Sequence, residues 1–371
     1  MIYILRNNVL QLMNVNRLGL LILYMIYYLL KTGKRHFLQY HKSKENYIKK
    51  MKCLHQQYKT NFITSFGVLQ SYLQLYRIVQ PIKRKSYRLK VPYDGEIVLD
   101  VCENTNDLKK NVLLIHGFNG SSNSKYIIGL SHHFENEGYK IFCFNARGTK
   151  EILNNSIFFH IGWTLDLTVA IEFILHNFSG SLEIYGFSMG ANWVTKYLGK
   201  ENLNPRIIKG GAICLPFDFY EIEKWMKNEK WVYKKRLFNR LLAYNFCKYI
   251  RRNKETFKNA ANLDLIFKCK SLREIDKLLT KKIFNIKNLS KYYKKESAVK
   301  HLKNIKVPFL ILNSSDDPII PEFIINKKEC QKNKNILLII NPWGGHLGFL
   351  KNNLRQSLAD EIILEFSKYF N

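Results

Sequence analysis

Gly186-Phe187-Ser188-Met189-Gly190 sets a serine between two glycines in the pattern G-x-S-x-G. The residues before it, LEIYG, read as a short apolar strand, and MGANWVTKYLG after it reads as a helix closed by Gly199. A serine on such a strand-to-helix turn presents its hydroxyl above the sheet, and the glycines leave room for neighbouring backbone. A hydroxyl is a weak nucleophile until a base takes its proton, so the chain must also supply a base and an acid that orients it. His346 follows the apolar run LLIIN and sits in a loop with Gly344, Gly345 and Gly348. Asp316 and Asp317 follow the run FLILN, and Asp218 is a third acid after an earlier strand. In that arrangement His346 is general base and then general acid, while the carboxylate fixes its tautomer and stabilises the imidazolium. The developing oxyanion needs backbone N–H groups aimed at it. Met189, next to the serine, supplies one, and Phe118 in the loop HGFNGSS supplies the other. His116 opens that loop and reads as a structural hydrogen-bonding residue.

These residues are useful only if the fold brings them together, and the pattern of elements provides for that. NVLLI, KIFCFN, LEIYG, IIKGGAICL, VPFLILN and NILLIIN are apolar runs of strand length. Helical stretches near 124–137, 163–178 and 189–199 separate the first four. Buried strands alternating with helices imply a mostly parallel sheet covered on both faces. SYRLKVPYDGEIVLDV reads as two strands turned at Asp94-Gly95. The rhythm breaks from Pro216 to about Leu302, where the sequence is helical, aromatic and rich in Lys and Arg, as an inserted cap would be.

The chain has 371 residues, enough for one large domain with an insertion. Lys and Arg number 59 against 29 Asp and Glu, a net charge of +30. The basic residues are spread along the chain, which fits a charged surface, and no zinc-finger, basic-zipper or RNP-like pattern accompanies them, so nucleic acid is not an expected partner. The seven cysteines are odd in number, form no C-x-x-C pair and mostly lie in apolar runs, so they read as reduced buried thiols, not a disulfide framework or zinc site. Leu18–Leu30 is an uncharged apolar run, short for a bilayer span, followed by the basic KTGKRHF; it reads as a membrane anchor or interfacial helix.

The segments HGFNGSSNSKYI, FNARG, FHIGWTLDL, YGFSMGANWVTKYLG, LNSSDDPIIP and GGHLGFL together resemble the α/β-hydrolases over about residues 86–370. More narrowly they are similar to the branch containing medium-chain ethyl-ester synthase/esterases and membrane-anchored phospholipases. The resemblance implies a domain at 86–371 with a helical cap at about 216–302, preceded by an anchor at 1–35 and a basic helical connector at 36–85. It implies Ser188 as nucleophile, Asp317 as triad acid because D-P-x-x-P is similar to the branch's acid loop, and His346 as base. The expected activity is cleavage of carboxylic esters of lipid or acyl-ester substrates at a membrane. Neither a metal nor an organic cofactor is expected, and no obligate protein partner. Three other readings share these residues: acyl transfer to an alcohol, peptide or carbon–carbon bond hydrolysis, and a non-catalytic binding protein on the same fold. In the last of these the serine, acid or histidine is usually lost, and here all three are present.

Overall fold

The computed structural model describes residues 36–370 together with Gly19, apart from residues 57, 59, 61–62, 104–108, 201 and 228–231. The expected anchor at Leu18–Leu30 therefore lies outside the described residues. Among the described residues no helix is long and apolar enough to cross a membrane.

Nine strands form one sheet: β1 Phe37–Gln39, β2 Arg84–Val91, β3 Gly95–Cys102, β4 Lys110–Ile115, β5 Lys140–Asn145, β6 Ser181–Phe187, β7 Ile207–Ile213, β8 Phe309–Ser314 and β9 Ile336–Asn341. Their order is β1-β9-β8-β7-β6-β4-β5-β3-β2. The six strands β5 to β9 with β4 run parallel, while β3 and β2 at one edge and β1 at the other are antiparallel. The adjacency β4 to β6 places the switch of strand order beside the serine turn, where open α/β sheets bind ligands. Every residue of β8 and β9 is buried, so both faces of the sheet are covered.

The helices that bear on the site are α1 Gly67–Leu73, α2 Lys125–Asn136, α3 Leu165–Asn177, α4 Met189–Leu198, α5 Phe219–Lys227, α6 Val232–Arg252, α7 Leu289–Glu296 and α8 Leu358–Tyr369. Helix α4 packs on β6 and β7, and α8 packs on α2, β7 and β8. Helices α5 to α7, with shorter turns between them, lie between β7 and β8.

Two local readings of the sequence are adjusted. The hairpin turns one residue earlier than Asp94-Gly95 implies: Val91 pairs with Gly95, and Tyr93 and Asp94 carry the positive φ values of 63° and 49°. Asp tolerates that conformation through its short polar side chain, which frees Gly95 to start β3. The stretch 36–85 holds helices, as its composition implies, but Phe37–Gln39 adds a short edge strand to β9. Three residues are too few for periodicity to reveal.

Candidate active site

Phe187 ends β6 and Met189 begins α4, so Ser188 alone makes the turn. Its backbone takes φ 54° and ψ −115°, a conformation that costs a non-glycine residue strain and persists only where the surroundings fix it. Those surroundings are visible. A Cβ on Gly186 would lie 2.3 Å from the Gly190 carbonyl oxygen, and one on Gly190 would lie 2.5 Å from the His116 oxygen. The Ser188 N–H donates to the Ile213 carbonyl at the end of β7, at 2.8 Å. The two glycines thus permit a turn so tight that its arms touch, and the result is a serine hydroxyl standing clear of the sheet.

His346 stands in the loop after β9, and its ring meets both partners. Nε2 is 2.9 Å from Ser188 Oγ, and Nδ1 is 2.8 Å from Asp317 Oδ2. With the ring proton on Nδ1, directed at the carboxylate, Nε2 accepts from the serine hydroxyl. The Asp317 side chain is fully buried, and its other oxygen accepts from the N–H groups of Ile319 and Ile320 at 2.8 and 2.9 Å. Both carboxylate oxygens are thereby held, as an orienting acid requires.

The other two acids are engaged elsewhere. Asp316 Oδ1 accepts from Gly345 N–H at 2.9 Å and so ties the acid loop to the histidine loop. Asp218 caps α5, accepting from the N–H groups of Tyr220 and Glu221. His116 is wholly buried; Nε2 accepts from Ala146 N–H at 3.1 Å, and Nδ1 faces the Gly117 carbonyl at 2.6 Å. Burial pushes its pKa down to about 4, so it is a neutral brace.

Phe118 and Met189 both line the cavity that holds Ser188 and His346. Met189 N–H is the first of α4 and has no acceptor within its own helix. The Phe118 loop passes close by, since a Cβ on Gly117 would lie 3.0 Å from Ser188 Cβ.

Sequence reasoning missed Cys214, which follows β7 with φ 52°. Its buried sulfur accepts from Leu347 N–H at 3.3 Å and lies within 4.8 Å of the ligating atoms of Asp317 and His346. Thiol, carboxylate and imidazole are a possible metal set. Here the imidazole and carboxylate are bonded to each other, and burial followed by the nearby Asp317 charge pushes the thiol pKa well up. A neutral thiol is a poor ligand, so the trio reads as a hydrogen-bonded cluster.

The cavity is about 130 Å³ and nearly all apolar, with Phe118, Phe159, Leu242, Phe246 and Ile320 among its walls. Its roof is the cap. The Phe246 ring of α6 meets Phe118 edge-on at 5.3 Å, and Tyr249 meets Phe159 at 5.1 Å. Tyr249 Oη donates to the Arg147 carbonyl, and Asn253 exchanges bonds with Leu153 and Gly148, which pins the cap to the core.

The family model for Hydrolase_4, the serine aminopeptidase family S33, matches residues 106–324. The chain belongs to this family of α/β-hydrolases. Among curated relatives, the chain is 27% identical over 281 residues to the phospholipase ABHD3 of Mus musculus, covering 73% of this chain and 67% of that protein. It is 27% identical over 277 residues to a monoacylglycerol lipase of Saccharomyces cerevisiae, covering 72% of this chain and 61% of that one. Against solved structures, the Pyrococcus furiosus esterase Pf2001 aligns over 80% of this chain and 99% of its own, with TM-score 0.51 and 15% identity. Est1E of Butyrivibrio proteoclasticus aligns over 76% and 97%, with TM-score 0.51 and 13% identity. The structural likenesses establish the fold, and this family member has the α/β-hydrolase sheet.

Proposed function

We propose that this family member is a serine hydrolase that cleaves carboxylic esters of lipids. One observation carries the reading: Ser188 Oγ, His346 and Asp317 form a continuous hydrogen-bonded line, and that line opens into an apolar cavity. In the reaction His346 Nε2 takes the hydroxyl proton as Ser188 Oγ attacks the ester carbonyl. The Met189 and Phe118 N–H groups hold the oxyanion. Collapse of the tetrahedral species breaks the ester C–O bond, and His346 returns the proton to the departing alcohol. Water, deprotonated by His346, then releases the acid from the acyl-Ser188 ester.

The apolar walls favour an acyl chain over a polar or peptide group, and the phospholipase and monoacylglycerol lipase names of the relatives point the same way. An aminopeptidase would need an anion facing the substrate ammonium. The acid at the cavity, Asp276, is already bonded to Thr280 and Tyr293. Residues 216–302 act as the cap that screens this site, on a domain of 86–371 preceded by the 36–85 connector. Leu18–Leu30 would hold the protein at a lipid surface, which flotation of the full chain with vesicles checks against a chain lacking residues 1–35.

The direct test is labelling by a fluorophosphonate, which reacts with activated serines. Wild-type protein takes the label, and Ser188→Ala and His346→Ala do not. Wild-type enzyme that has not met the probe releases fatty acid from monoacylglycerols or phospholipids, prior labelling abolishes that release, and Ser188→Ala lowers the rate by at least about 10³-fold. Folded wild-type protein that takes no label, with or without liposomes, overturns the reading.

A further inference from the structure

The loop that carries His346 is made of unfavourable backbone. Gly344, Gly345, Leu347 and Phe349 all have positive φ, the two non-glycines at 65° and 48°. Such a loop does not hold itself in place; other parts of the chain must fix it. Asp316 and Cys214 hold it from one side, and a further support lies far away in sequence, before residue 86.

Helix α1, Gly67–Leu73, lies across the loop and meets it at every turn. Ser71 Oγ accepts from the backbone N–H of His346 itself, at 2.7 Å, and donates to Gly67 O at 2.6 Å. Gln70 is fully buried and brackets the loop's far end: its Oε1 accepts from Leu350 N–H at 2.7 Å, and its Nε2 donates to Leu350 O at 3.2 Å and Thr64 O at 2.7 Å. Tyr58 Oη donates to the same Leu350 carbonyl at 2.5 Å. The backbones touch as well. A Cβ on Gly67 would lie 2.0 Å from the Asp316 oxygen, and one on Gly345 would lie 2.0 Å from the Gly67 oxygen. One short helix is thus packed without clearance against both the acid loop and the base loop.

We infer that helix α1, with Tyr58, is a working part of the catalytic site, with Ser71 and Gln70 the positioning residues that set the imidazole of His346 between Ser188 and Asp317. The inference rests on the hydrolase reading. Ser71 does not touch the reacting atoms; it fixes the main chain from which the imidazole hangs. Without its hydroxyl the half-buried His346 N–H loses this acceptor, and the loop gains by moving toward another. A shift near 1 Å at a general base is enough to cost about 10- to 100-fold in rate.

The experiment is steady-state kinetics and fluorophosphonate labelling of the full chain carrying Ser71→Thr, Ser71→Cys or Ser71→Ala, with melting temperatures measured in parallel. The expected order of kcat is wild type, then Thr, then Cys, then Ala. Thr falls within about threefold of wild type, Ala is about 10- to 100-fold down, and KM stays within about twofold throughout. A helix with only a structural role would lower melting temperature and yield without that kcat-against-KM split and without rescue by Thr. If Ser71→Ala does not fold, the Thr and Cys variants decide, because Cys keeps the volume and weakens the acceptor. Equal kcat in Thr, Cys and wild-type protein, or full kcat in folded Ser71→Ala, overturns the inference. Failure of the hydrolase reading is separate: there the wild-type protein itself takes no label.

Discussion

The carboxyl ends of the parallel strands and the helical cap face each other across one small cavity, yet they are built by different means. At the strand ends the main chain decides. Ser188 points where it does because Gly186 and Gly190 let two stretches of backbone come within contact of each other. Asp317 is fixed by the amides of its own loop. In the cap the side chains decide. Its hold on the core is a set of rings around Phe158, Phe159, Phe246 and Tyr249, plus a few polar pins such as Asn253. Backbone constraints tolerate few sequences, whereas ring packing tolerates many of similar volume. On the proposed reading, the chemistry therefore sits on the rigid side and the choice of substrate on the permissive side.

That contrast can be broken or sharpened by experiment. The largest effect is expected on the rigid side: Asp317→Asn leaves the imidazole without its orienting anion, and kcat falls about 10²- to 10⁴-fold with the melting temperature nearly unchanged. Asp316→Asn, whose bond is to Gly345 N–H, falls far less; equal losses would dissolve the distinction between the two acids. Next comes acid. Burial holds the pKa of His116 down to about 4 and that of His160 to about 3, whereas the unfolded chain titrates near 6.5. Below 6.5 the unfolded state takes up protons that the native state refuses. Stability is thus full above pH 6.5 and falls as pH drops toward 4, by about 3 kcal/mol for His116 alone. Urea midpoints from pH 7 to 4 measure it, and His116→Asn flattens the slope.

A smaller effect is expected in the cap. Phe246→Leu removes part of a ring from the cavity roof and shifts the ratio of kcat/KM for longer against shorter acyl esters about tenfold toward the longer. Turnover of the shortest ester stays within about twofold. No shift in chain preference would mean that the roof does not read the acyl chain. The smallest is Asp218→Ala, which uncaps α5 at a cost of about 1 kcal/mol in thermal or urea unfolding and leaves the triad in place.

The same contrast governs how much could be read without coordinates. The strand-end residues were legible because their constraint is local: five residues from Gly186 to Gly190, flanked by a strand and a helix, already specify a turn. The acid and the base each follow a run of apolar residues that the sheet buries whole. Asp316 and Asp317 could not be separated from spacing alone, since adjacent residues on a loop leave both directions open. The preference for Asp317 came from the family resemblance, and it is the one found against His346. The roles of Gln70 and Ser71 left no trace in the sequence. Both are polar residues in a short helix of a basic, aromatic stretch, and what makes them matter is contact with residues about 275 and 280 positions away. Cys214 was read as an ordinary buried thiol; its place under the histidine loop depends on a positive φ at a non-glycine residue, which no composition signals.

The contact between residues 71 and 346 also has a meaning in time. A growing chain makes the serine turn 158 residues before the histidine loop. That loop then finds support in a helix made 275 residues before it. Contacts between residues so far apart in sequence slow folding relative to local ones. On the proposed reading, the Ser188 turn is therefore made before the His346 loop that would arm it has found helix α1. In refolding, tryptophan fluorescence is expected to recover before fluorophosphonate reactivity, and the interval between the two is the lifetime of a folded but silent protein.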